Sequence, residues 1–412
     1  MNGGTFVEVG YYQTKKHGQG AEGDVFLSRK TEDGRIITVL SDGLGSGIKA
    51  GVLATLTATM AMKFIAEDIP IRRAADIIMK TLPVCKERRI SYATFTIVDI
   101  DTEDRVKIIE YDNPPYILIR EQTQIEPMKG DITVHRESPR ERKRSTGGGT
   151  AVLAVPQIRD AVMQYSEFLA LPGDRLVFFS DGVTQSGMGT KTKPLGWGNP
   201  AVQRYALTMV RDNPDLSARE LARRIVKEAE ANDAYTSKDD ITCGVVYFRM
   251  PRKLLVMTGP SVEKERDREM AENFENFPGR RVVCGGTTAQ ILARELGKTV
   301  KVSLKDIDPG MPPASVMDGA DLVTEGIITL GKVAEILEGY SGGERYKPNP
   351  ASRMVELFLD SDQIEFVVGT KINEAHQDPA MPVELEIRRN VVKRIAAILE
   401  EKYLKETVVR FI

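Results

Sequence analysis

Four aspartates, Asp24, Asp42, Asp181 and Asp239, stand where apolar, strand-like runs begin or end, and three of them adjoin glycine. Asp24 follows Gly23 and opens one run. Asp42 closes the next, within Ser41-Asp42-Gly43-Leu44-Gly45-Ser46-Gly47. Asp181 closes another in Phe179-Ser180-Asp181-Gly182, and Asp239 precedes Asp240-Ile241-Thr242. Carboxylates gathered at one sheet edge can converge on hard cations such as Mg²⁺ or Mn²⁺, which take several carboxylate and carbonyl oxygens. Glycine beside such a ligand lets a backbone carbonyl approach without steric conflict. Any single Asp-Gly pair is most simply a turn. Four acids at strand ends, two of them in longer glycine-rich contexts, point instead to a metal site.

Hairpin arithmetic gives convergence a test. A two-residue Asp33-Gly34 loop pairs Asp24 with Gly43. A three-residue loop, Glu32-Asp33-Gly34 with Gly34 left-handed, pairs Asp24 with Asp42. Only the second register puts both carboxylates on one face, so that register is predicted. Asp181 and Asp239 meet in the same way if their strands are antiparallel neighbours.

The elements that must position these residues fall into two textures. Residues 1–250 read mostly as strands: 25–28, 36–40, 93–100, 106–111, 116–119, 163–169, 175–180 and 241–248. A helix over 46–66 carries Leu53, Leu56, Met60 and Phe64 near helical spacing. Two more span 200–211 and 217–231, the second with Ser217 as N-cap and Glu220 completing a capping box. From 251 to 412 strands alternate with helices: strands at 254–257, 282–283, 300–304, 320–323 and 366–368, helices at 263–274, 288–296 and 330–337. That alternation predicts a separate α/β domain with a largely parallel sheet.

With order and context considered together, Gly23-Asp24, the Asp42 motif, Ser180-Asp181-Gly182 and Asp239-Asp240-Ile241-Thr242 resemble the metal-dependent type 2C serine/threonine phosphatases. The glycine-rich second motif most resembles the branch of stage II sporulation protein E and the stress-response phosphatases. Asn113-Pro114-Pro115-Tyr116 and Leu171-Pro172-Gly173-Asp174 resemble family turns. The resemblance covers residues 1 to about 250. It implies an α+β fold, an antiparallel β-sandwich flanked by helices, with two divalent ions, Mn²⁺ or Mg²⁺, at one end. By position it assigns Asp42 as the bridging ligand, with Gly43 (through its carbonyl) and Asp24 on one ion and Asp181 and Asp239 on the other. Asp42 and Asp181 are thereby the catalytic pair. The implied reaction is hydrolysis of phosphoserine or phosphothreonine by metal-activated water, without a covalent enzyme intermediate. The implied partner is a signalling phosphoprotein such as an anti-sigma-factor antagonist. Asp240 falls where the family often has asparagine and is read as a neighbour of the ligands. Leu44 replaces the histidine of many eukaryotic-type relatives, so no side chain is assigned as general acid.

Lys15, Lys16 and His17 lie shortly before Asp24 and are candidates to approach a substrate phosphate. Arg140, Arg142 and Arg144, in a basic segment over 136–144, are candidates for docking an acidic partner. Both clusters also read as solvated charge. In the second domain, Thr258-Gly259-Pro260-Ser261, Gly285-Gly286-Thr287-Thr288 and Thr324-Glu325-Gly326 each follow a strand. Gly285, Gly286, Thr287 and Thr288, leading into a helix, are the best candidate site for a small anionic ligand, with a regulatory role for the domain. None of these turns matches a nucleotide fingerprint.

Composition bounds the alternatives. With 57 basic and 59 acidic residues, bulk positive charge for nucleic acid is missing. Three cysteines, Cys85, Cys243 and Cys284, are too few and scattered for a disulfide framework or zinc ribbon. The start lacks a signal-peptide pattern, and the apolar stretch over 51–66 reads as too short and polar to span a bilayer. The expectation is a cytoplasmic protein with neither membrane nor nucleic-acid partner. The rival functions are a catalytically silent signalling module of the same fold and a small-molecule phosphatase.

Overall fold

The computed structural model describes residues 5–45, 47–82, 93–134, 160–303, 308, 310–340, 346–370 and 381–412, and their side chains except at 381–386. The chain forms two compact units: Val9–Arg249, and Met250–Ile412 together with Met1–Glu8.

The first unit is built on two antiparallel sheets. Its elements are β1 (Phe6–Thr14, from Val9 on), β2 (Asp24–Lys30), β3 (Ile36–Gly43), α1 (Ile48–Ala66), α2 (Ile71–Thr81), β4 (Ala93–Ile100), β5 (Arg105–Tyr111), β6 (Ile117–Arg120), β7 (Thr123–Ile125) and β8 (Lys129–Val134). They continue with β9 (Ala161–Leu169), β10 (Arg175–Phe179), α3 (Asp181–Gln185), α4 (Asn199–Asp212), α5 (Ala218–Asn232) and β11 (Ile241–Arg249). One sheet has the order β2-β3-β4-β5-β9-β8 and the other β1-β11-β10-β6-β7. The strands alternate so that one face of each sheet meets its own helices. Ile37, Val39, Phe95 and Ile97 pack with α1 and α2, while Val177, Phe179, Cys243 and Val245 pack with α4 and α5. The facing sides meet across the sandwich, where Phe26 stacks on the fully buried Phe178 with ring centroids 5.9 Å apart. Cys243 is packed within β11, and burial pushes its thiol pKa up.

Helix α1 departs from its sequence reading. It begins at Ile48, and its 19 residues make it long and apolar enough to cross a bilayer. It packs against β2, β3 and β4 as a core helix. Its buried side is small, Ala50, Ala54, Thr57, Ala58 and Ala61 with Met62 and Ile65, whereas Leu56 stands exposed. Alanine on the inner face brings the helix close to the sheet and carries β3's end up against α1's first turn. In α5 the Ser217 side chain accepts from Glu220 N–H at 3.2 Å, as expected for the N-cap. The reciprocal half of the capping box does not form. Arg223 and Arg224 take the Glu220 carboxylate instead, at 2.7–2.9 Å.

In the second unit, β12 (Lys253–Thr258), α6 (Arg266–Asn276), β13 (Arg280–Cys284), α7 (Gly286–Leu296), β14 (Val300–Val302), β15 (Ser315–Met317) and β16 (Leu322–Thr324) come first. α8 (Ile327–Gly339), α9 (Pro350–Leu359), β17 (Gln363–Val368), α10 (Met381–Tyr403) and β18 (Glu406–Phe411) follow. The sheet order is β14-β15-β16-β13-β12-β17-β18. β16, β13, β12, β17 and β18 are parallel; β14 and β15 form an antiparallel edge. α6 and α7 pack on one face with Leu255, Met257 and Val283, and α8, α9 and α10 on the other with Leu254, Val256 and Val282. Both faces are covered, as a parallel sheet requires.

Candidate metal centre

The β2–β3 hairpin sets the site. Thr31 N–H donates to Arg35 C=O at 2.8 Å, and Glu32-Asp33-Gly34 forms the loop with Gly34 at φ 92°. This is the predicted three-residue turn with a left-handed last residue, a conformation glycine adopts without penalty. It fixes Lys30 against Ile36 and carries the register along to Asp24 against Asp42. Both carboxylates therefore leave the sheet on one face, at one end.

The second pair arrives from the other sheet. β10 and β11 are antiparallel neighbours, with Phe179 opposite Cys243 and Ser180 N–H donating to Thr242 C=O at 3.0 Å. Asp181, two residues past β10, thus lies at the same end as Asp239, two residues before β11. The turn into β10 is fastened by Asp174, which is fully buried. Its oxygens accept from Arg120 at 2.9 and 2.6 Å, and one also accepts from Leu171 N–H at 2.8 Å.

The four acids sense one another. Asp24 is 3% exposed, and neither of its carboxylate oxygens has a hydrogen-bond partner. The Ser180 and Thr242 hydroxyls lie nearby without hydrogen-bond geometry. Burial raises its pKa to about 7, with Asp240 and Asp181 adding repulsion. Asp42 is held well above the usual carboxylate range, first by burial and then by Asp24, Asp181, Asp239 and Asp240. Asp181 is raised by burial and by Asp239. Buried like charges without a cation favour the protonated forms.

Asp240 plays a different part. Its two oxygens accept from Lys16 N–H and Gly23 N–H, each at 3.0 Å, so its side chain fastens two backbone segments around Asp24. The segment over 15–17 is thereby tied to the site through its backbone, with His17 N–H also donating to Ser237 C=O at 2.9 Å. Lys15 and His17 are exposed and Lys16 is half-buried.

Two contributors lie outside the residues singled out from the sequence. Gln185 Nε2 donates to Asp181 Oδ2 at 2.7 Å from one turn along α3. Asp112, at φ 56° just before the Asn113-Pro114-Pro115 turn, lies close enough to add to the repulsion on Asp181. The strand-end logic that selected the other acids reaches Asp112 as well, since it directly follows β5. Arg140, Arg142, Arg144 and Cys85 lie outside the described residues.

In kind, these donors fit hard divalent ions: all are oxygens, and Asp24 presents two buried, unpartnered ones. Among the described residues, no three His, Cys, Asp or Glu side chains close around one point as a finished single-ion cage. The acids form a looser, mutually repelling group. Gly43 belongs to the same construction. A Cβ there would lie 2.1 Å from Ala50 C=O, so only glycine lets β3 run up against α1. We expect Gly43→Ala to cost about 1–3 kcal/mol by overpacking, read from chemical denaturation of the full chain.

No curated protein matches the chain. Among solved structures, it is similar to the phosphatase domain of the cell fate determinant SpoIIE from Bacillus subtilis. The two share 17% identity over 61% of this chain and 95% of that one, with a TM-score of 0.41. It is also similar to the RsbU and RsbW domains of a Mycobacterium tuberculosis protein, at 16% identity over 66% and 68% of the chains and a TM-score of 0.44. The serine/threonine phosphatase of S. agalactiae gives 17% identity over 59% and 99%, with a TM-score of 0.39. The sequence pattern of the stage II sporulation protein E (SpoIIE) family matches residues 32–249, which take in Asp42, Asp181 and Asp239 and end with β11. That match spans more than half of the chain, and the chain belongs to the stage II sporulation protein E family.

Proposed function

We propose that the chain hydrolyses phosphoserine and phosphothreonine on a signalling protein in a divalent-metal-dependent reaction at Asp24, Asp42, Asp181 and Asp239. The observation that carries this reading is the Asp24–Asp42 register. It sets a carboxylate with two unpartnered buried oxygens beside a second acid, in a member of the stage II sporulation protein E family. Asp42 would serve two ions, Mn²⁺ or Mg²⁺, with Asp24 and the Gly43 carbonyl on one side and Asp181 and Asp239 on the other. Divalent ions held there lower the pKa of water and neutralise charge developing on a phosphoryl group.

The chain's own residues then orient and position. Gln185 orients the Asp181 carboxylate through its 2.7 Å hydrogen bond. Asp240 keeps Gly23, and with it Asp24, at the sheet edge. The same side chain anchors the 15–17 segment, whose Lys15, Lys16 and His17 are candidates for orienting a substrate phosphate. An open cleft lies beside Asp24, lined by Glu22, Ile48, Val52 and Thr55. The physiological substrate on this reading is a phosphoprotein of the anti-sigma-factor-antagonist kind, and the second unit has a regulatory role.

Phosphate release from phosphoserine and phosphothreonine peptides, compared with small phosphate esters, tests the proposal. Turnover of the peptides by the full chain supports it. Turnover of small esters alone makes the chain a small-molecule phosphatase, and no turnover of either makes it a binding module. The basic segment gives a separate prediction. Replacing Arg140, Arg142 and Arg144 together with alanine should raise KM for the protein substrate and leave a small ester unaffected, because the chemistry resides on the carboxylates. Equal effects on both substrates, or none on either, remove the docking role.

A further inference from the structure

We propose that the second unit binds a small phosphate-bearing ligand in the crevice where β13 and β16 pass into α7 and α8. The two strands are parallel neighbours, with Cys284 opposite Thr324. The chain leaves them toward opposite faces. α7 buries Ala289 and Leu292 with Val283, whereas α8 buries Leu330 and Val333 with Val282 and Cys284. Adjacent parallel strands whose connections diverge in this way open a crevice at their carboxyl ends, where ligands of such sheets bind.

Both helices begin at that crevice, side by side. Gly285 and Gly326 are their N-caps. Gly285 N–H donates to Thr324 C=O at 2.8 Å, and a Cβ on Gly326 would lie 3.8 Å from Gly285 Cα. Neither helix has a side-chain cap or an acidic residue in its first turn. Two N-terminal dipole ends of about half a positive charge each therefore converge.

The sequence repeats here as Gly-x-x-Thr, Gly285 to Thr288 and Gly326 to Thr329. Both threonines sit in the third helical position, at 1% and 0% exposure, and neither hydroxyl has a hydrogen-bond partner. The Thr288 hydroxyl leans toward its own N-cap, since a Cβ on Gly285 would lie 3.3 Å from Oγ1. A buried hydroxyl without a partner is costly, and two at matching positions over converging helix starts indicate a missing acceptor. On the next strand, the Thr258 hydroxyl is likewise buried and unpartnered. Arg388 of α10 brings a guanidinium to the same edge, its Nη1 2.8 Å from where a Cβ on Gly259 would be. Glu325, at the head of α8, is exposed. Free first-turn amides flanked by hydroxyls are a phosphate's partners. The lack of a lysine-bearing phosphate loop favours a phosphate monoester over a nucleoside triphosphate.

Isothermal titration calorimetry of the chelator-treated full chain decides the matter, with inorganic phosphate and 5′-AMP as separate probes. A Cβ on Gly286 meets nothing within 4 Å, so Gly286→Val adds its bulk at the first turn of α7 without a clash at Cβ. Thr288→Val with Thr329→Val removes only the two hydroxyls, and its melting temperature without probe should match or exceed the parent's. We expect saturable binding of at least one probe, weakened about tenfold or more in each variant. Tighter binding of 5′-AMP would identify a phosphorylated metabolite as the occupant, and equal binding a free anion. If neither probe binds, or if both bind the variants as well as the parent, the site does not exist.

Discussion

Asp42→Ala should lose phosphatase activity by about 10³-fold while remaining folded, as expected when several kcal/mol of metal-borne charge stabilisation is removed. Asp42 has Asp24 as its register partner on the same hairpin, and Asp181 and Asp239 approach it from the other sheet. Removing one of several buried like charges relieves repulsion, so the metal-free variant should melt at or above the metal-free parent. Circular dichroism melts beside phosphate-release assays measure both. A variant that keeps full activity in metal-replete buffer would remove Asp42 from the mechanism.

Mn²⁺ or Mg²⁺ should raise the melting temperature of the stripped full chain by about 5–10 °C. Ligand at a hundredfold excess over Kd adds about 2.7 kcal/mol to the folded state, and a domain of 150–250 residues gains about 2–4 °C for each kcal/mol. The gain should vanish in Asp42→Ala and shrink in Asp24→Asn, whose amide keeps the shape of the carboxylate without its charge. Differential scanning fluorimetry reads this without any substrate, which separates ion binding from turnover. An equal shift in the parent and both variants would place the ion elsewhere.

Much of this site is written in local signals. Each acid among the ligand candidates lies at or within two residues of a strand end, and strands with β-branched runs bounded by glycine or proline are read from short windows. The Asp24–Asp42 pairing follows from a three-residue loop with Gly34 left-handed, chosen over the two-residue alternative because only it lets the two carboxylates converge. The burial phase of α1 is not local. Leu53, Leu56, Met60 and Phe64 suggest an apolar stripe, yet the sheet selects the alanine face because close approach of β3 requires small side chains. The capping box at Ser217 is half-formed because two arginines one turn on compete for Glu220. Helix α2 is legible in principle, with Pro70 ahead of it and Ile71, Ala74, Ala75, Ile78 and Met79 at helical spacing. Gln185 and Asp112 acquire meaning only once the two sheets bring β5, β10 and β11 to one end. The pairing of Gly326 and Thr329 with Gly285 and Thr288 depends in the same way on β13 and β16 becoming neighbours, which no spacing in the sequence discloses.

The most direct test of the account is phosphate released from a phosphoserine peptide as Mn²⁺ is titrated into chelator-stripped full chain, with Asp42→Ala in parallel. The account predicts no release above background before metal is added, a saturable rise in the parent, and a flat line in the variant. Undiminished release in excess chelator, or parallel curves for parent and variant, would contradict it.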